Sequence, residues 1–156
     1  AGTMVKLDVI RVAMDWSGRS PVLLLKEQDG PRMLSLWIGH PEAKAIATAL
    51  EGQIPPRPLT HDLVAELLTV LGHHEVEGVI TAVTEGVYDA ELHVGEHVVG
   101  ARPSDLAALA ARSALVLSCA EQVIDQVGFV EDIDDDDDVE KFREFLDHVN
   151  PDDFEG

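Results

Sequence analysis

The chain is 156 residues long, 46% hydrophobic, and carries 11 basic against 30 acidic side chains, a formal net charge of −19. That length supports one proper core rather than two, and no apolar run approaches the roughly twenty residues that a membrane helix needs. The acidic balance counts against a general nucleic-acid binder, because phosphate neutralisation by Lys and Arg supplies most of such a protein's affinity.

The charge is unevenly spread. Residues 131–156 hold thirteen acids and two bases, net −11, which leaves seventeen acids and nine bases, net −8, for residues 1–130. Any phosphate-handling site must therefore be a local cluster of arginines working against the average field. The lone Cys119 cannot form an internal disulfide and reads as a buried thiol in a cytoplasmic protein. No Cys/His spacing argues for structural zinc. Ala1-Gly2-Thr3 ahead of Met4 reads as a cloning remnant, which leaves 4–130 as the folded domain and 131–156 as an acidic tail.

Taken in order, Val5 to Met14 alternates with Val5, Leu7 and Val9 inward, then slips phase to Ile10, Val12 and Met14. This predicts a long strand with a bulge or a bend. Residues 21–26 and 32–38 are two further apolar runs, and Asp29-Gly30 between them is the positive-φ pair expected of a tight hairpin. An antiparallel meander over 5–38 follows. Gly39-His40-Pro41-Glu42 opens a first helix ending near Gly52, with Ala43, Ile46, Ala47 and Leu50 as its buried face. The prolines of 54–59 make a stiff connector. Thr60, as cap, and Asp62 open a second helix with the core stripe Leu63, Val64, Leu67, Leu68, Leu71 and a stop at Gly72. His73 and His74 follow as solvated residues. Strands are expected over 76–83 and 87–94 around Glu85-Gly86, over 96–101, and over 114–118, with a helix over 120–127 closed by Gly128. The five aspartates 134–138 repel one another, and Val139, Phe142, Phe145, Leu146 and Val149 beyond them suit one short amphipathic helix. The fold class is α+β: a single domain with a mixed, mostly antiparallel sheet, helices packed on it, and the acidic C-terminal tail.

Arg102-Pro103-Ser104-Asp105 stands at the mouth of an alanine-rich third helix. Proline suits a first helical position, Ser104 or Asp105 suits a cap, and an arginine beside free helix-start amides suits an anion. Two other helix mouths carry similar groups: His40 and Glu42 at the first, and Thr60, His61 and Asp62 at the second, with Arg57 on its approach.

Three blocks of the chain resemble a known family. Leu36-Trp37-Ile38-Gly39-His40-Pro41-Glu42-Ala43-Lys44-Ala45-Ile46-Ala47, Arg57-Pro58-Leu59-Thr60-His61-Asp62-Leu63 and Ala101-Arg102-Pro103-Ser104-Asp105 are similar, in this order, to blocks of the bifunctional nuclease family. The resemblance implies an α+β domain with a mixed sheet, self-association, and cleavage of both DNA and RNA. Family members often have Pro where this chain has Ser35, and an acidic residue near Gly100. Many carry a small C-terminal module where this chain has its acidic tail. The resemblance brings no catalytic residue set with it, so roles are inferred at the motif positions. Were the three helix mouths to meet, Arg57, Arg102, Ser104 and Thr60 would bind phosphate. His61 would move protons, with Asp62, Arg102, Asp105 and Glu42 completing the catalytic group. Glu42, Asp62 and Asp105 would suit a divalent cation, magnesium or manganese. Against this stands a purely structural reading: Thr60, Asp62, Ser104 and Asp105 occupy cap positions, and Arg102 with Glu42 suits a helix-locking ion pair. Two functions follow. One is a low-specificity nuclease. The other is a non-catalytic homodimeric binding domain whose acidic tail recruits a basic partner; a tail that covers the arginine cluster and inhibits the site is a further possibility.

Overall fold

The computed structural model describes residues 3–130 apart from Trp16, His74 and Ala114. The acidic tail, with its expected helix in 139–149, lies outside the described residues. Alternation in the first forty residues produces the expected meander of β1 (Met4–Met14), β2 (Pro21–Glu27) and β3 (Arg32–Trp37). β1 pairs antiparallel with β2, and the register slips between Val9 and Arg11, so the inferred bulge is Ile10 itself. Ile10 and Met14 nevertheless stay exposed, whereas Leu7 is buried.

The β2–β3 turn differs from expectation. Gly30 does not have a positive φ. It makes room for the Glu27 carboxylate instead, because a Cβ there would stand 1.7 Å from Glu27 Oε1 and displace it. Glu27 thus lies over the turn backbone, where Arg32 Nε donates to it at 2.9 Å. The positive-φ pair appears at Glu85-Gly86, with φ 51 and 79, in the hairpin joining β4 (Val76–Thr84) to β5 (Val87–Val94).

β6 (His97–Ala101) leads into α3 (Pro103–Arg112), then β7 (Val116–Ala120) and α4 (Glu121–Val127) follow. A short β8 (Phe129–Val130), with too few residues to show a period, pairs with β3. The eight described strands form one sheet in the order β6-β5-β4-β7-β1-β2-β3-β8. All pairs are antiparallel except β4 with β7, so the sheet is mixed as predicted. Among the described residues no helix is long and apolar enough to cross a membrane.

The core gathers Leu7, Leu23, Leu25, Leu34, Ile46, Ile80, Leu106 and Leu117 in one cluster. α3 sits deepest against the sheet. Leu106, Ala107, Ala108 and Leu109 are all buried, and Gly78 of β4 leaves the room: a Cβ there would stand 3.1 Å from the Leu106 methyls. α1 (His40–Leu50) buries Ala43, Ala45 and Ile46, and packs on α3, β1 and β2. Its expected inner residue Leu50 is exposed, because the helix lifts off the core at its last turn.

α2 (Thr60–Val70) gives the main correction. None of its residues is buried, and Leu63, Leu67 and Leu71, expected in the core stripe, are exposed together with Val70. The stripe exists, but α2 rests on α3 rather than on the sheet, so its apolar width exceeds the surface available to cover it.

Candidate functional site

Each helix mouth is set by local chemistry. At α1, Gly39 is the N-cap residue and carries no side-chain cap. Its missing Cβ lets the Glu42 carboxylate fold back, since a Cβ at Gly39 would stand 2.3 Å from Glu42 Oε2. At α2 the cap position belongs to Leu59, and Thr60 is the first helical residue. The cap role expected of Thr60 passes to Asp62, whose Oδ2 accepts the Leu59 N–H at 2.9 Å. At α3 the cap position belongs to Arg102, not to Ser104 or Asp105. Extended backbone at Arg102, φ −91 and ψ 148, turns the chain into the helix just before Pro103.

The three mouths meet. Arg102 Nε donates to Asp105 Oδ2 at 3.0 Å and Nη2 donates to Asp105 Oδ1 at 2.8 Å, a bidentate fork. The same Nη2 lies 3.0 Å from Glu42 Oε1. From the opposite side, His61 Nε2 is 3.1 Å from Asp105 Oδ1. Glu42 of α1, His61 of α2 and Arg102 with Asp105 of α3 therefore form one continuous chain of polar contacts.

Burial and charge act on this cluster in opposite senses. Burial pulls the Asp105 carboxyl up, but hydrogen bonds from Arg102 and His61, with the Arg102 charge, outweigh it and hold Asp105 below the usual carboxylate range. Asp105 is thus an ionised acceptor, so the Nε2 that meets it is the protonated ring nitrogen of His61. The hydrogen bonds to Asp105 and Glu42 also push the Arg102 guanidinium above its ordinary range. The His61 side chain is only 16% exposed, whereas that of Arg102 is 62% exposed. The cation is the part of the cluster that faces solvent.

Other expected members stand apart. Asp62 turns to Arg112, whose Nε is 3.0 Å from Asp62 Oδ1. Arg112 Nη1 also donates to the Gln53 carbonyl at 2.8 Å, so this arginine ties the end of α3 to the start of α2 and to the connector after α1. Sequence reasoning passed over Arg112; its position in the last turn of α3, where a cation is favoured, was the available signal. Arg57 lies with Lys44, Ile54 and Leu59 along a separate groove of about 670 Å³. Thr60 is exposed, and its side chain makes no capping hydrogen bond. Ser104 is buried beside the cluster and lines a larger groove of about 790 Å³, together with Trp37, Tyr88 and Arg102. Glu42, Asp62 and Asp105 do not converge as a ligand set. Among the described residues no three His, Cys, Asp or Glu side chains are gathered as a metal ion requires.

Cys119, fully buried on β7, has its thiol pushed up to about 11 by burial, which suits packing and not nucleophilic chemistry.

Two uncharacterized proteins from two strains of Mycobacterium tuberculosis are each 42% identical to this chain over 161 aligned residues, covering 97% of it and 98% of their own length. The model of the bifunctional nuclease domain matches residues 23–132, a span that holds all three helix mouths. The chain belongs to the bifunctional nuclease domain family.

Proposed function

We propose that the protein is a low-specificity nuclease that hydrolyses phosphodiester bonds in DNA and RNA at the Glu42–Arg102–Asp105–His61 cluster. The observation that carries this reading is the convergence of His61 and Arg102 on Asp105. A nuclease needs a cation for the phosphate and a proton carrier beside it, and here one carboxylate orients both. Arg102 Nη1 takes part in none of the cluster's bonds, which leaves it to a phosphate oxygen without breaking the fork to Asp105. With Nε2–H directed at Asp105, Nδ1 is the basic nitrogen of His61. It takes a proton from an attacking water as the new P–O bond forms. The bond to the sugar oxygen breaks, and that oxygen is protonated from solvent. In this reading Asp105 and Glu42 are positioning residues. Asp62, Arg57 and Thr60 support the approach rather than the reacting atoms. Glu42 and Asp105 would hold magnesium or manganese only together with a substrate phosphate, since Arg102 already engages both carboxylates.

The test is cleavage of single-stranded DNA and RNA by highly purified protein. His61→Ala is expected to lower the rate by about 10²- to 10⁴-fold, the range for loss of a general acid–base group. Arg102→Ala should fall at least as far and Arg102→Lys less, with circular dichroism unchanged in all three. Retained activity in both alanine variants would remove the basis of the assignment. A chelator titration then places any metal requirement: loss of activity in EDTA, restored by magnesium or manganese, adds the cation to the site.

A second reading concerns assembly and rests on α2. Its exposed Leu63, Leu67, Val70 and Leu71 form an apolar face of the kind that marks interaction sites on soluble proteins. We assign this face to a second copy of the chain. A mass measurement in solution checks it: the dimer expected of the native chain should become a monomer in Leu67→Glu.

A further inference from the structure

The nuclease reading uses the solvent-facing edge of Arg102 but not the groove beside it. That groove runs from the end of β3 to the β4–β5 turn and the mouth of α3, and its volume of about 790 Å³ falls within the range of small-ligand sites. Three features of its lining bear on what it could hold. Trp37, at the end of β3, is 74% exposed. Tryptophan is highly buried on average, so a ring left in water at a groove edge costs free energy unless something covers it. Ser104 is the opposite case: the residue is only 5% exposed, lines the groove, and its hydroxyl has no hydrogen-bond partner among the described residues. Among the described residues Arg112 Nη2 is the fully buried side-chain polar atom without a partner, so the Ser104 hydroxyl stays open to the groove, where a ligand would meet it. Tyr88, the third feature, adds a half-buried phenol whose titration is pushed up by burial, so it stays a neutral hydrogen-bonding group.

We propose that this groove is a nucleobase subsite, which takes the base next to the phosphate held by Arg102, with Trp37 as its stacking surface and Ser104 as its polar contact. The proposal rests on the nuclease reading for the phosphate, but its evidence is separate. Its chemistry also answers a difficulty of charge. On a chain of net charge −19, long-range attraction for a polyanion is absent, so affinity has to come from contacts that charge does not govern. Stacking on an aromatic ring is such a contact, and it tolerates any base because every base has a π-face. A single arginine beside it predicts a shallow salt dependence, with a slope of about −0.7 in log K against log salt for one phosphate neutralised on a single strand.

The experiment measures binding, in full-length protein carrying His61→Ala to stop turnover, of a fluorescein-labelled thymidine hexamer and of an abasic hexamer with the same phosphates. Trp37→Ala is expected to weaken hexamer binding by about 5- to 100-fold, Trp37→Phe to restore much of it, and Ser104→Ala to weaken it by less. The abasic strand should bind weakly and indifferently to all of these. Equal loss for both strands, or no loss for either, overturns the base subsite. So does a Trp37→Ala variant that changes the oligomeric mass while hexamer binding stays as it was, which would make the ring an interface residue. The nuclease reading fails on a different measurement, the cleavage rate of the protein with His61 intact. A protein that binds the hexamer through Trp37 yet cleaves nothing keeps the base subsite and loses the nuclease. One that cleaves but is indifferent to Trp37 and to the bases does the reverse.

Discussion

Arg102 holds Asp105 through two nitrogens and Glu42 through one of them, and Asp105 in turn meets His61. Because these groups are linked, their loss should not be additive. Asp105→Ala is expected to cost nearly as much activity as the double variant Asp105→Ala/His61→Ala, since removing the carboxylate already frees the imidazole to turn away. The same carboxylate carries a pH-dependent part of stability. Its folded-state value is depressed, so the stabilisation is complete above the ordinary carboxylate range and is lost as pH falls through the folded value. Partial exposure keeps the effect small, about 1 kcal/mol. Urea unfolding should therefore separate native protein from Asp105→Asn at pH 7, and the gap should narrow below about pH 4 as the native carboxyl protonates. Cys119 offers a check on the core: with its thiol pushed up to about 11 and no exposed surface, it should resist alkylation at pH 8 until urea unfolds the chain.

α3 is the element on which both the core and the site depend. One side presses into the sheet through Leu106, Ala107 and Ala108, and its mouth carries Arg102 and Asp105. Gly78→Val would force a side chain onto the Leu106 methyls. Overpacking of that kind costs about 1 to 3 kcal/mol, readable as a lower thermal midpoint. It should also depress cleavage if the displaced helix draws Asp105 away from His61. α2 differs, because it is held to α3 by its first turn and by Arg112 rather than by buried leucines. Arg112→Ala leaves Asp62 without its ion partner and the Gln53 carbonyl without its donor. It is expected to raise amide exchange in α2 while β1 and β2 stay protected, a local loosening rather than global unfolding. The helical period of Leu63, Leu67 and Leu71 was legible from the chain, and so was the amphipathic character of α2. Burial was not, because a period identifies an apolar face without saying whether the neighbour across it belongs to the same chain.

Across the whole molecule, charge is the property that sets the conditions of function. Residues 131–156 contribute −11 of the total −19, a field screened beyond about 8 Å at physiological salt. Deleting this segment should raise affinity for a single-stranded oligonucleotide at low salt and change little at high salt, with the thermal midpoint of the domain preserved. Fluorescence anisotropy at two salt concentrations measures it, and unchanged affinity at low salt would show that the tail field does not reach the site. The meander, the Glu85-Gly86 hairpin, the bulge at Ile10 and the three helix starts are all decided within a few residues of chain, by alternation, turn chemistry and the placing of proline. The sequence by itself therefore determined the described elements apart from the two-residue β8, together with the α+β class, and the wording of its three motif blocks pointed to the family. Only the tertiary structure decided that Asp105 joins Arg102 to His61 while Asp62 goes to Arg112, that α2 leaves Leu63 and Leu67 uncovered by the rest of its own domain, and that Trp37 lines a groove. Neighbouring side chains at 61 and 62 point about 100° apart on a helix, so which of them reaches the α3 mouth depends on how α2 crosses α3. That crossing is set by packing across the whole domain.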